Sequence, residues 1–297
     1  MSLLFAKNIG LKNFLIRGLK IRFLRKLNND YFKYKLITNN YYNIYKWDPC
    51  GTEVYLTQCF TDWGNEYLFL DSIKDRKKGI LIDVGCHTGY YSTLFKNYFT
   101  KVIGFEPSLK CYRVLSKLNL KNSSFFQKFV GDQNNIVKGG DSETGYSFFD
   151  KDSVHKQINY KEIEQVKLDD FIEKNDYRAI IAIKIDVDGN DLKVLYGAKN
   201  LIKLNRPSII IENYSNELIE FFKELNYSLY SLATNKEKTY NLTLKKIYDF
   251  KDNLVVKMIC CIPKEYEKNY QEVNINGNLI SGINKKKILK LFDFNKV

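Results

Sequence analysis

The sequence predicts an α/β fold built on a doubly wound, mostly parallel sheet, and three observations carry that prediction. Residues 79–107 read GILIDVGCHTGYYSTLFKNYFTKVIGFEP. This is an apolar strand (Ile80, Leu81, Ile82, Val84) closing on a carboxylate, Asp83, a turn with glycines at Gly85 and Gly89, a helix, and a second apolar strand ending in Glu106. Two later runs, AIIAIKIDV at residues 179–187 and SIIIEN at 208–213, have the near-continuous hydrophobicity of strands covered on both faces. Between such runs lie segments of helical periodicity, the crossovers that parallel neighbours require.

With 297 residues, 44% hydrophobic and 27% charged, the chain buries a core easily and has an ordinary composition for a soluble globular protein. Its net charge of +13 is not ordinary. It favours acidic partners such as nucleic acid, anionic lipid or phosphorylated substrates, or else it is spread over a solvated, lysine-rich surface. The six cysteines (Cys50, Cys59, Cys86, Cys111, Cys260 and Cys261) form no C-x-x-C pair and no zinc spacing, which fits thiols in a reducing compartment. No secretory signal is evident, and no uncharged apolar run approaches the roughly 18 residues of a spanning helix. A cytoplasmic location is expected, with the cytoplasmic face of a membrane as an option.

Taken in order, residues 1–46 carry ten Lys or Arg against one acid, Asp30. Leu11, Phe14, Leu15, Leu19, Phe23 and Leu27 recur at spacings of mainly three and four, predicting a basic amphipathic helical extension. Such a helix lies on an anionic membrane or packs against its own domain or a second subunit. Residues 47–72 read as an aromatic-rich helical lead-in.

The glycine turn then suits a nucleoside-bearing ligand. Glycines let backbone approach a ligand closely, and the following helix offers unpaired N–H groups. Glu106 lies 21 residues past Gly85, near the roughly 20 at which such folds place a ribose acceptor. The pattern is D-x-G-x-x-x-G, with His87 where a pyrophosphate-binding loop needs its second glycine. S-adenosylmethionine, which has a ribose and an adenine but no phosphate, is therefore favoured over NAD.

After Pro107, the spacing of Leu109, Tyr112, Leu115 and Leu118 predicts a helix, and residues 125–130 a strand with Asp132 near its carboxyl end, as an adenine-side contact or a turn former. Residues 133–157 show little periodicity and read as a lid loop, with His155 near its end as a candidate proton carrier or an exposed side chain. Residues 164–168 read as a strand, with Asp169-Asp170 capping the next helix. In KIDVDG, strand alternation puts Lys184, Asp186 and Asp188 on one face. Charges on a buried strand imply a site or an ion-pair network. Asp186, Asp188 and Asp191 either hold a divalent cation such as Mg²⁺ through oxygen ligands or serve as a lysine–aspartate pair and a helix cap. Arg206-Pro207 leads into the SIIIEN strand, which ends in Glu212. A helix over 217–225 and strands over 227–232 and 254–262 follow, then a polar, lysine-rich tail. The expected division is 1–46, 47–263 and 264–297.

With Asp83, Gly85, Gly89, Glu106-Pro107, Leu168-Asp169-Asp170, KIDVDG from Lys184 and the Arg206-Pro207 strand in order, residues 47–262 resemble the FkbM-type family of S-adenosylmethionine-dependent methyltransferases. The resemblance implies a class I, Rossmann-like, seven-stranded sheet with the cofactor over its first two strand ends. Asp83, Gly85, Cys86, His87, Gly89, Tyr90, Glu106, Pro107 and Asp132 are then the cofactor residues. Cys86-His87 stands where the family usually has Ala-Asn, and Asp188 and Asp191 where it usually has glutamates, each one methylene shorter. The resemblance further implies O-methylation of a sugar hydroxyl on a glycan or nucleotide-sugar, in surface polysaccharide biosynthesis. Asp186 and Asp188 then orient and deprotonate the acceptor with Lys184 as electrostatic partner, and Asp191, Glu212 and His155 are second choices. Two alternatives stay open. An RNA methyltransferase would share the charge and cofactor, although no N-P-P-Y tetrapeptide follows the fourth strand. A non-catalytic scaffold of the same fold would be tethered to a membrane or an assembly through residues 1–46. Contacts in a homo-oligomer complete the expected partners.

Overall fold

Apolar periodicity makes a helix of the first described segment, and aromatic alternation replaces it with strands. In the computed structural model, which describes residues 10–28, 30–118, 120–141, 146–148, 160–235, 242–271, 273–275 and 282–292, helix α1 spans Leu11–Leu27. Gly18 and Ile21 are its buried residues. Over residues 31–45 the expected helix is replaced by an antiparallel hairpin of β1 (Tyr31–Lys35) and β2 (Tyr41–Tyr45), in which Phe32 faces Ile44. Phe32, Tyr42 and Ile44 bury alternate positions, as aromatic and β-branched residues do in strands. Asn39 takes the left-handed conformation of the turn. Helices α2 (Pro49–Thr57) and α3 (Asn65–Asp71) follow, in the stretch expected to be helical.

The chain divides into two units, residues 1–74 with 214–297 and residues 75–213, a division that cuts across the three expected segments. The second unit contains β3 (Ile80–Val84), α4 (Tyr90–Phe95), β4 (Lys101–Phe105), α5 (Leu109–Leu115), β5 (Ser123–Phe126), β6 (Phe129–Val130), β7 (Asn135–Asp141), β8 (Tyr146–Phe148), β9 (Tyr160–Val166), α6 (Leu168–Lys174), β10 (Ile180–Ile185), α7 (Asp191–Tyr196), α8 (Lys199–Asn205) and β11 (Ser208–Ile211). Its main sheet runs β11-β10-β3-β4-β5 with every pair parallel. This is a Rossmann-like α/β arrangement. The order reverses between β3 and β10, and in open α/β sheets ligands bind outside the carboxyl ends at that reversal.

Two expectations within this unit are corrected. The single strand over 125–130 is split, so that β5 belongs to the main sheet while β6 pairs with β9 in a small second sheet, β6-β9-β7-β8. The aperiodic lid read over 133–157 contains β7 and β8 of that sheet. Its glycines and polar residues hid the two-residue period, and among its described residues Val137 packs against the cluster of Phe129 and Ile163. Asp169 also differs from expectation. It sits in the first turn of α6 and accepts from Asn200 N (3.1 Å) and Leu201 N (2.8 Å), capping α8 instead of its own helix.

The first unit resumes with α9 (Asn216–Glu224), whose cap Ser215 Oγ accepts from Leu218 N at 3.2 Å. β12 (Tyr227–Asn235), β13 (Leu242–Ile247), β14 (Leu254–Val255), β15 (Ile259–Pro263) and β16 (Val273–Ile275) follow, then α10 (Gly282–Leu291). These strands pair antiparallel in the order β16-β13-β12-β15, with β14 beside the end of β12. The tail after Pro263, read as merely polar, contributes β16 and α10 and buries Ile275, Ile288 and Phe292. β15 pairs with β12 only as far as Tyr230. Beyond it, the wholly buried Asn65 takes over the ladder: its Oδ1 accepts from Leu232 N (2.7 Å) and its Nδ2 donates to Leu232 O (3.2 Å). Asn65→Leu keeps the branching and the number of heavy atoms but strands both backbone groups. It is expected to lower stability by about 2–4 kcal/mol, read as a lower urea midpoint with an unchanged slope.

Candidate active site

Strand register builds the site. Phe126 pairs with Phe105, Phe105 with Val84, Val84 with Ile185, and Ile185 with Ile211. The residues that follow them, Gln127, Glu106, Gly85, Asp186 and Glu212, therefore form one row across the carboxyl end of the parallel sheet, centred on the reversal. Gln127, which donates through Nε2 to Pro107 O at 3.3 Å, was missed because residues 125–130 were read as one strand. The expected Asp132 instead follows β6, where the chain is seated against another turn. A Cβ on Gly197 would lie 1.9 Å from Gly131 O and 3.3 Å from Asp132 Cα.

On the β3–β4 side, the turn is shaped by close approach. Gly85 has φ +72°, and a Cβ there would fall 1.9 Å from Asp186 O. Gly89, at φ +84°, heads α4 against Leu118 and Leu115. His87 is held at φ 48° with its N–H donated to Glu106 Oε2 at 2.8 Å. Glu106 Oε1 accepts from Ser108 N at the same distance. The buried carboxyl of Glu106 is raised above its ordinary pKa by desolvation, against the opposing pull of His87 and these two N–H groups. It thus stands fixed beside the turn where a ribose acceptor is expected. Tyr90 opens α4, and Pro107 follows the acid.

Two expected cofactor residues face the protein instead. Cys86 is buried with its Sγ toward Gly104 and its N–H bonded to Phe105 O at 3.1 Å. Burial and the neighbouring Asp83 and Glu106 carboxylates hold its thiol well above the usual range, so it is neutral packing. Asp83 is wholly buried. Its Oδ2 accepts from Ser92 N (3.1 Å) and Ser92 Oγ (2.6 Å), while Oδ1 has no hydrogen-bond partner and lies 3.9 Å from Lys184 Nζ. Desolvation raises the Asp83 carboxyl despite that ammonium.

On the β10–β11 side, Lys184 is only 4% exposed. Its Nζ donates to Gly85 O at 2.6 Å and pairs with Asp186 Oδ2 at 3.2 Å. Burial opposes its charge, but Asp186 and Asp83 outweigh that effect and raise its pKa, so it stays protonated. Lys184 is therefore a fixed, charged group that joins the glycine turn to Asp186. The expected alternation ends at Ile185, the last residue of β10. Asp186 follows the strand half-buried, and Asp188 lies in the turn at φ 48°, exposed. Partial desolvation of its carboxyl first, then the adjacent Asp186 charge, raises the Asp188 pKa, with Lys184 and His87 opposing. Asp191, expected beside these two as a metal ligand, is instead buried at the start of α7 and accepts from Val187 N at 3.4 Å. Its place is taken by Glu212: carboxylate oxygens of Asp186, Asp188 and Glu212 lie within 4.8 Å of one another. His155 lies outside the described residues.

The geometry makes Gly85 obligatory. Gly85→Ala is expected to cost about 2–4 kcal/mol, combining left-handed strain with overpacking against Asp186. Thermal unfolding of the purified variant measures the loss.

Compared with models of known families, residues 83–229 match the methyltransferase FkbM domain. No curated protein matches. Among solved structures, the chain is similar to methyltransferase FkbM from Methylobacillus flagellatus KT, at 15% identity and a TM-score of 0.40, over 73% of this chain and 55% of that one. It is similar to precorrin-6y C5,15-methyltransferase from Geobacter metallireducens GS-15 at 10% identity and a TM-score of 0.39, over 67% and 87% of the two chains. An rRNA methylase from Streptococcus thermophilus is similar at 12% identity and a TM-score of 0.37, over 67% and 94%. The match spans little more than half the length of the first of these.

Proposed function

We propose, on the match of residues 83–229 to the methyltransferase FkbM domain, that the chain is an S-adenosylmethionine-dependent methyltransferase that transfers the cofactor's methyl group to a sugar hydroxyl, on a glycan or nucleotide-sugar destined for a surface polysaccharide. The observation that carries this reading is the row at the sheet's carboxyl end, in which a backbone-anchored acid, Glu106, stands on one side of Gly85 and a carboxylate cluster on the other. Glu106 accepts the ribose hydroxyls. Ionised carboxylates are pure acceptors, and a polyhydroxylated ligand supplies the donors they need.

Methyl transfer from a sulfonium is an in-line displacement, so positioning provides much of the acceleration. Asp188, exposed and with a raised pKa, takes the proton of the acceptor hydroxyl as the oxygen attacks the methyl carbon. Asp186, paired with Lys184, orients that hydroxyl. The donor set also fits a hard divalent cation, because Asp186, Asp188 and Glu212 offer only carboxylate oxygens. These three residues would hold it, and when bound it would lower the pKa of a hydroxyl on the acceptor. All six cysteines are free thiols, which supports a cytoplasmic setting for the reaction.

Calorimetric titration with S-adenosylhomocysteine is expected to show binding that Glu106→Ala weakens by at least about tenfold, and absence of binding to the unaltered chain would overturn the cofactor assignment. With a sugar acceptor in hand, turnover should fall as pH drops through the Asp188 pKa, which lies above that of an ordinary aspartate, because the base must be ionised. Asp188→Asn should lose that limb and about a hundredfold in kcat. Undiminished turnover in EDTA, with that limb intact, is expected where Asp188 works as a free carboxylate; loss of turnover in EDTA that Mg²⁺ restores would place Asp188 on a cation instead and remove it as the base.

A further inference from the structure

We propose that the outward face of α1 docks the protein onto an anionic lipid bilayer. Six large apolar side chains on this helix face solvent: Leu11, Leu15, Ile16, Leu19, Phe23 and Leu27, each between 53% and 66% exposed. Five of them recur every fourth residue and so form one ridge along the helix, about 25 Å long. Scattered exposed hydrophobics are normal on a protein surface, but a contiguous patch marks an interaction site.

The ridge is not an unfinished attachment of the helix to its own unit, because the opposite face already provides that. Gly18 and Ile21 are buried there, and Arg25 reaches across to Thr52 Oγ1 at 2.6 Å while Arg17 donates to Leu56 O. α1 is thus held down on one side and leaves the other bare.

Charge decides the occupant. The helix contains six Lys or Arg and no acid. Lys12, Lys20, Arg22 and Lys26 are exposed among the apolar side chains. A second copy docking symmetrically would set these cations against their own duplicates. Nucleic acid would satisfy the cations and leave six apolar side chains without a use. An anionic bilayer takes both: leucine and phenylalanine enter the acyl boundary while the long basic side chains extend to the headgroups. The helix lies in the interface and does not cross it, since no helix among the described residues is long and apolar enough to span. This inference is independent of the methyl-transfer reading.

Flotation of the purified full chain with phosphatidylcholine vesicles containing about one-third phosphatidylglycerol, and with phosphatidylcholine alone, tests it. The expected result is co-flotation with the anionic vesicles only, weakened by salt and reduced at least about tenfold in both Leu15→Ser/Leu19→Ser/Phe23→Ser and Lys12→Glu/Lys20→Glu/Lys26→Glu. Since all six altered side chains are exposed, the variants should unfold at the unaltered temperature and bind S-adenosylhomocysteine as the parent does, which separates this test from that of the enzyme. Failure of the parent chain to float, equal flotation with neutral vesicles, or undiminished flotation of the serine variant would overturn the proposal. So would light scattering showing a dimer that the serine substitutions dissociate, because a second copy would then occupy the face.

Discussion

The arrangement at the sheet's carboxyl end depends on one buried ammonium. Lys184 stands on β10, yet its Nζ touches the turn through Gly85 O, the β3 strand through Asp83 and the acidic loop through Asp186. It also lies over the Tyr91 ring at 5.7 Å, and Asp83 in turn holds Ser92, so α4 is tied to the same centre. Removing charges from water is expensive, and a buried pair is weak evidence for stability. What the arrangement provides is orientation: the Gly85 carbonyl, two carboxylates and the first turn of a helix are all aligned on one atom. The elements on the β3–β4 side of the row and those on the β10–β11 side therefore share a reference point.

This explains which parts of the site were legible in the sequence. The strand, glycine turn, helix and Glu106 follow one another within 28 residues, so local pattern was enough to find them. KIDVDG announced itself because ionised groups interrupted an apolar strand. Strand logic then carried too far. Alternation stops where β10 stops, and Asp188 takes its direction from a left-handed turn that sequence period does not encode. Glu212 was recognisable as an acid ending a strand, but its company with Asp186 follows from the β10–β11 register, which is a non-local fact. Gln127 and Asp132 exchanged importance for a similar reason, since a two-residue break between β5 and β6 sends the chain from one sheet to another.

The same limits applied outside the site. The aromatic hairpin of β1 and β2 was hidden by a count of positive charges, and the buried part of the C-terminal tail by its lysines. In both cases a few apolar side chains at the correct period decided the structure while the commoner polar ones decided the composition. The Cys86 position shows the converse. A cysteine in a ligand-binding turn invites a chemical role, yet a buried, neutral thiol packed toward Gly104 serves as a small hydrophobe.

The seat of Gly197 on Gly131 has a mechanical meaning. Where two segments meet through side chains, rotamers can shift and absorb a displacement. Here carbonyl meets Cα with no room for even a methyl group, and close-packed interiors compress little. Gly197 ends the helix that begins at Asp191, directly after the acidic loop, and Gly131 ends the strand that anchors the small sheet. The joint between them leaves no room for a side chain, so a displacement of the small sheet is met by the C-terminal end of that helix directly, backbone against backbone.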